Sequence, residues 1–114
     1  MSVNSTPIQP VPVPLEVLGN SEYSQTYRVG GHDHTLGNPI RHLLVSSQSN
    51  DVDFAGYSVP HPSERVVQIR VQMKTDKGRK ADEAIVDACD TLKELCQHIK
   101  TKVEQAHDNV VKVE

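Results

Sequence analysis

The chain predicts an α+β fold, a short and mostly antiparallel sheet carrying helices, and three observations lead there. Val67, Ile69, Val71 and Met73 alternate with Gln68, Arg70, Gln72 and Lys74, the period-two pattern of a strand with one buried and one wet face. Ile85, Ala88, Cys89, Leu92, Leu95, Cys96, Ile99, Val103 and Ala106 fall within an arc of roughly 100° when wound as a helix. The third observation is a thin core. The 114 residues suffice for one domain, but hydrophobic residues make up only 36 %, tryptophan is absent and Phe54 is the only phenylalanine. With glycine counted and tyrosine left out the apolar share is about 39 %, against about 45–50 % in an ordinary globular domain. Such a chain has a small core or completes one with another chain.

Residues 1–14 carry Pro7, Pro10, Pro12 and Pro14 among small and polar residues, a spacing that favours an extended arm. The domain proper is expected over 15–107, with 108–114 as a short tail. From Leu15 to Val29 the chain reads as one or two modest strands, with Leu15 and Val17 on one parity and Tyr23, Gln25, Tyr27 and Val29 alternating after polar Asn20-Ser21-Glu22. Gly30-Gly31 ends that run, and Thr35 is the expected N-cap of a helix from Leu36 to about Ser46.

Leu36, Ile40, Leu43 and Leu44 give this helix one apolar stripe, with Val45 roughly opposite, so it suits a position between two layers. Its start is unusual. Gly37 costs about 1 kcal/mol relative to alanine in a helix, and the common compensation is a backbone that another group must approach closely. A partner subunit is the expected neighbour. Pro39 is tolerable if it lies in the first turn, where its missing N–H costs little.

Beyond a polar connection, Val52–Val59 reads as a strand and Pro60-His61-Pro62 as a forced turn before the alternating strand. The terminal helix spans about Ala81 to Gln105. At 1.5 Å per residue that is about 37 Å, longer than three or four short strands can cover, so its far half should project and find apolar cover elsewhere.

Several function classes are disfavoured. A net charge of −3 lacks the basic footprint of direct nucleic-acid binding. Lys74, Lys77, Arg79 and Lys80 are interrupted by Asp76 and Gly78 and read as a solvated connection. No apolar run approaches the ~18 residues of a membrane span, and no secretory leader is recognisable, so a soluble intracellular protein is expected. Cys89 and Cys96, about 10.5 Å apart along one helix, are too distant for a disulfide and read as small buried hydrophobes. His32, Asp33, His34 and His42 have the residue types of a metal site without persuasive ligand spacing, and no cofactor is expected. A small metal-dependent hydrolase built on His32, Asp33 and His34 is the alternative of another class. Cys96 and His98 diverge by about 200° around a helix and cannot act as nucleophile and base. No catalytic constellation is expected.

Four separated blocks carry a family resemblance: His32-Asp33-His34-Thr35-Leu36-Gly37-Asn38, Phe54-Ala55-Gly56-Tyr57, Pro60-His61-Pro62-Ser63-Glu64, and Ile69-Arg70-Val71-Gln72. In this order and spacing the chain, over about residues 24 to 105, resembles the alpha-like assembly subunits of multi-subunit RNA polymerases, the family that includes the bacterial alpha N-terminal domain and archaeal subunit L. His61 to Glu64 and Leu95-Cys96-Gln97-His98-Ile99 are most similar to the small alpha-like subunit shared by eukaryotic polymerases I and III, with the polymerase II counterpart as the alternative. Pro39, the polar run Ser46 to Asn50 and the stretch Lys74 to Lys80 depart from the family pattern.

The resemblance implies a sheet with two helices on one face, and a non-catalytic subunit of the nucleus and nucleolus. It also implies a heterodimer with a larger alpha-like subunit, formed through the first and last helices, on which the second-largest polymerase subunit assembles. Leu36, Gly37, Asn38, Ile40, Leu43 and Leu44 on the first helix, with Leu92, Leu95, Ile99 and Val103 on the last, are the expected partner-interface residues. A free-standing homodimeric scaffold using the same surface is a further alternative.

Overall fold

In the computed structural model, which describes residues 14–46 and 50–113, the chain runs β1 (Leu15–Ser21), β2 (Ser24–Gly30), α1 (His34–Val45), β3 (Val52–Ser58), β4 (Val66–Met73) and α2 (Ala81–Val113). The four strands form one sheet in the order β1-β2-β4-β3, with every neighbouring pair antiparallel. The expected extended stretch from Leu15 to Val29 is a hairpin that turns at Glu22 and Tyr23. The Pro-rich arm lies outside the described residues apart from Pro14, whose carbonyl accepts from the Gly30 N–H at 2.9 Å.

Strand β4 takes an inner position because its alternation is the strictest in the chain. Val67, Ile69, Val71 and Met73 are buried, Val67 and Val71 completely. Register carries the same face across the sheet: Ile69 lies opposite Tyr27 on β2 and Tyr57 on β3, and Val71 opposite Ala55. Both helices cover this face. Ile40 and Leu44 of α1 and Ala81, Ala84 and Ala88 of α2 complete the buried cluster. Each buried residue of α2 is an alanine, so the helix comes close and contributes little apolar area itself.

The start of α1 differs from expectation in two ways. Asp33, not Thr35, is the N-cap: its side chain accepts from the Thr35 N–H at 3.0 Å and its carbonyl from the Leu36 and Gly37 N–H groups. A carboxylate outcompetes a hydroxyl for this position because it accepts with full charge at the positive end of the helix. The hydrogen bonds from Thr35 hold the Asp33 carboxyl below its ordinary pKa, with the charges of Arg65 and His34 adding smaller contributions. The shift also moves Pro39 out of the first turn and into the helix, where it removes the donor to the Thr35 carbonyl. Thr35 is exposed, so water can serve that oxygen.

Gly37 has close neighbours within the chain. A Cβ there would stand 2.5 Å from Tyr57 Cδ2 and 2.8 Å from Val67 Cγ2. The glycine is the point where α1 lies on β3 and β4. His34 holds the ring in place, its Nδ1 3.0 Å from Tyr57 Oη and its imidazole edge-on to the phenol at 5.5 Å.

Helix α2 is longer than its sequence arc suggests. It continues to Val113 through the stretch expected as a tail, because no glycine or proline interrupts residues 106–113 and Val110 extends the apolar arc. Its first turn is fastened at both sides. The Ala81 N–H donates to the Glu22 carbonyl at 2.9 Å, and Tyr27 Oη donates to Asp82 Oδ1 at 2.5 Å. Arg79 donates to the buried Asp51 carboxylate at 3.0 Å and also meets Glu83 and Asp87, while Lys80 lies 3.5 Å from Glu22. The basic cluster is thus largely engaged in tying the β4–α2 connection to its surroundings.

Two predictions come from these contacts. Gly37→Ala gains about 1 kcal/mol of helix propensity but forces a methyl group against Tyr57 and Val67, and overpacking of this kind costs about 1–3 kcal/mol. Denaturant unfolding is expected to show a net loss of stability, and an unchanged or raised midpoint would refute the close-approach account. Burial, followed by the hydrogen bond to Asp82 and its negative charge, pushes the Tyr27 phenol well above its ordinary pKa. The folded chain then holds this proton more tightly than the unfolded chain. The contribution is complete below the unfolded phenol's pKa of about 10 and is lost as pH rises beyond it. Tyr27→Phe is expected to cost about 1 kcal/mol at neutral pH and to remove the corresponding part of the alkaline decline, measured as the difference between the two stability profiles.

Candidate partner interface

The apolar arc of α2 meets two environments. Up to Leu92 it faces the chain itself: Ala81, Ala84 and Ala88 are buried, and Ile85 and Leu92 pack on the core's edge. From Lys93 to Val110 every residue is exposed. Within that stretch Leu95 is 46 % exposed, Ile99 52 %, Val103 61 % and Val110 60 %, yet all lie on the side that began as core. The sheet and α1 run out after about three turns, whereas the stripe continues.

The expected interface residues accordingly divide. Gly37, Ile40 and Leu44 belong to the chain's own core. Leu36 and Leu43 are partly buried against it, as is Leu92. Asn38 is exposed and accepts from Arg41 Nη2 at 2.9 Å. Leu95, Ile99 and Val103 are the members left fully available. Sequence reading missed Val110, although its spacing of seven from Val103 was the signal, and it misjudged the cysteines. Cys89 and Cys96 are both exposed, Cys89 because it lies at the edge of the arc beside Ala88 and Cys96 because it lies beyond the covered part. Desolvation and the neighbouring Asp90 carboxylate push the Cys89 thiol up, so neither makes it a ready nucleophile.

Between the end of α1 and α2 lies a cleft of about 670 Å³, with Leu43, Leu44, Val52, Ala84 and Ala88 as its apolar part and Asp87, Asp90, Thr91 and Glu94 along one wall. Ser46 and Arg79 complete its lining. The histidine cluster is occupied structurally. Asp33 caps α1 and His34 contacts Tyr57, and among the described residues no group of three or more His, Cys, Asp or Glu side chains is arranged to hold a metal ion. No helix among the described residues is long and apolar enough to cross a membrane.

Residues 24–102 match the family described as the RNA polymerase Rpb3/Rpb11 dimerisation domain. The DNA-directed RNA polymerases I and III subunit RPAC2 of Danio rerio is 38 % identical over 81 residues, 71 % of this chain and 69 % of that protein. The RNA polymerase II subunit rpb11 of Dictyostelium discoideum is 55 % identical, but over 40 residues only, 35 % of this chain and 32 % of that protein. Among solved structures, RNA polymerase subunit L of Thermoplasma acidophilum superposes with a TM-score of 0.68 at 25 % identity, covering 83 % of this chain and 89 % of that one. The matched segment runs from β2 through the first two-thirds of α2, taking in the central strands, α1 and the beginning of the uncovered stripe. The chain is a member of the RNA polymerase Rpb3/Rpb11 dimerisation-domain family.

Proposed function

We propose that the chain is the small alpha-like subunit of nuclear RNA polymerases I and III, a non-catalytic part that nucleates assembly by forming a heterodimer with a larger alpha-like subunit. The observation that carries this reading is the apolar stripe of α2, which leaves the chain's own core after Leu92 and stays exposed at Leu95, Ile99, Val103 and Val110. A stripe of that length on a helix with a satisfied backbone is an interface awaiting its other half. Membership in a dimerisation-domain family supports the same use of the helix.

The likeness to polymerase I and III subunits extends over most of the chain, whereas that to a polymerase II subunit is confined to 40 residues, which favours the shared I and III subunit over its polymerase II counterpart. The heterodimer would then receive the second-largest subunit, with the assembled enzyme in the nucleus and its polymerase I form in the nucleolus. A net charge of −3 and the internal engagement of Arg79 and Lys80 support a role without direct contact to nucleic acid. Asp33 and His34 already have partners within the chain, which supports the assembly reading over the hydrolase alternative.

Affinity purification of the tagged chain from its own cells is expected to recover the larger alpha-like subunit, together with subunits unique to polymerases I and III and without those unique to II. Leu95→Glu and Ile99→Glu place an unpaired charge in the apolar contact and are expected to weaken recovery of the larger subunit by roughly a hundredfold or more. Both side chains are exposed in the chain alone, so its circular dichroism should be unchanged. Undiminished recovery in both variants would remove α2 from the interface.

A further inference from the structure

The projecting part of α2 has a stricter pattern than a broad apolar arc. Leu92, Cys96, Ile99, Val103, Ala106 and Val110 are spaced alternately by four and three residues, the a/d seam of a coiled coil. In that frame the positions immediately beside the seam between Lys93 and Asn109 are Lys93, Leu95, Lys100, Lys102, His107 and Asn109. None is acidic. The acids of the same stretch, Glu94, Glu104 and Asp108, all fall on outer positions turned from the seam. All of these side chains are exposed, so the sorting owes nothing to contacts inside the chain.

Charges beside a coiled-coil seam select partner and orientation. We infer that this seam is built to receive a helix of the larger alpha-like subunit whose own seam is flanked by acidic residues, and to reject a second copy of this chain. A second copy laid antiparallel sets base against base along the flank formed by Lys93, Lys100 and His107, and one laid parallel sets Lys102 against His107. Like charges at these positions cost affinity while acids opposite them gain it. The inference rests on the heterodimer reading above and adds the rule by which the heterodimer excludes the homodimer.

The test uses the full chain and two synthetic helical peptides of about four heptads with identical apolar seams, one flanked by glutamate and the other by lysine. The chain is expected to bind the glutamate-flanked peptide about tenfold or more tightly than the lysine-flanked one, as three to four flanking pairs would give, with the difference shrinking at high salt. Lys93→Glu/Lys100→Glu/Lys102→Glu should reverse the preference. Glu94→Lys/Glu104→Lys/Asp108→Lys, which changes net charge by an equal magnitude in the opposite direction on the outer face, should keep it. Equal binding of the two peptides, binding of neither, or an equally large effect from the outer-face variant would overturn the inference. Co-expression separates the two levels: full retention of the larger subunit by the flank-reversed variant ends the charge rule and leaves the heterodimer standing, whereas failure of the unmodified chain to retain it ends the heterodimer reading itself.

Discussion

The close seating of α1 on the sheet at Gly37 is the constraint from which the rest of the structure takes its dimensions. Without a Cβ, the helix backbone comes down onto Tyr57 and Val67, and this depth lets Ile40 and Leu44, one and two turns later, reach the centre of the core. The alanines of α2 do the same from the other side. Three small side chains bring the second helix down onto β4 and α1 without the volume that leucines would need. A domain assembled from such close approaches is thin. Its extents of 59 × 35 × 21 Å describe a single layer of helix on a single sheet, with one long axis supplied by α2.

That thinness explains why so much apolar surface is left over. A chain of this length packed as a sphere would have a radius of gyration of about 13 Å, and the value here is 17.5 Å. The excess comes from a helix whose stripe was laid down for more contact than one four-stranded sheet can supply. Hydrophobic burial scales with the area removed from water. The last half of α2 gains none within the chain, so its contribution to stability is deferred to association. The low apolar share and the single phenylalanine agree with a core this small.

How much of this was legible depended on whether the deciding contact was local. The alternation in β4 and the arc of α2 are local patterns, and both elements stand where their periods place them. The α1 stripe was equally clear, but whether Ile40 and Leu44 face the chain or a partner depends on what lies across from them, which no period records. Gly37 shows the limit well. Its cost in a helix demanded a close neighbour, and the sequence offered no way to see that the neighbour was Tyr57, twenty residues on. The N-cap was misassigned because Asp33 and Thr35 are both good caps, and only the helix geometry decides between them. Cys96 reads as buried because it lies within the apolar arc, and the arc outlasts the surface that buries it; Cys89 lies at the edge of that arc, where a period alone does not separate covered from exposed.

Two of the exposed apolar surfaces among the described residues are handled differently. On the edge strand β1, Leu15, Val17 and Leu18 face solvent, and an unpaired strand edge invites indiscriminate pairing. This edge is interrupted. Between Leu18 and Ser21 the register shifts around Gly19, whose φ of 153° and lack of a Cβ, which would stand 2.7 Å from the Ser24 carbonyl oxygen, admit a bulge that bends the edge away from a straight template. The stripe of α2 has no such interruption and needs none. A helix satisfies its own backbone, so it offers a neighbour side chains alone, and side chains discriminate where a strand edge does not. An uncovered stripe is more tolerable on a helix than on a strand edge because it presents no unpaired backbone groups. The fold therefore interrupts the β1 edge and leaves the helical stripe continuous.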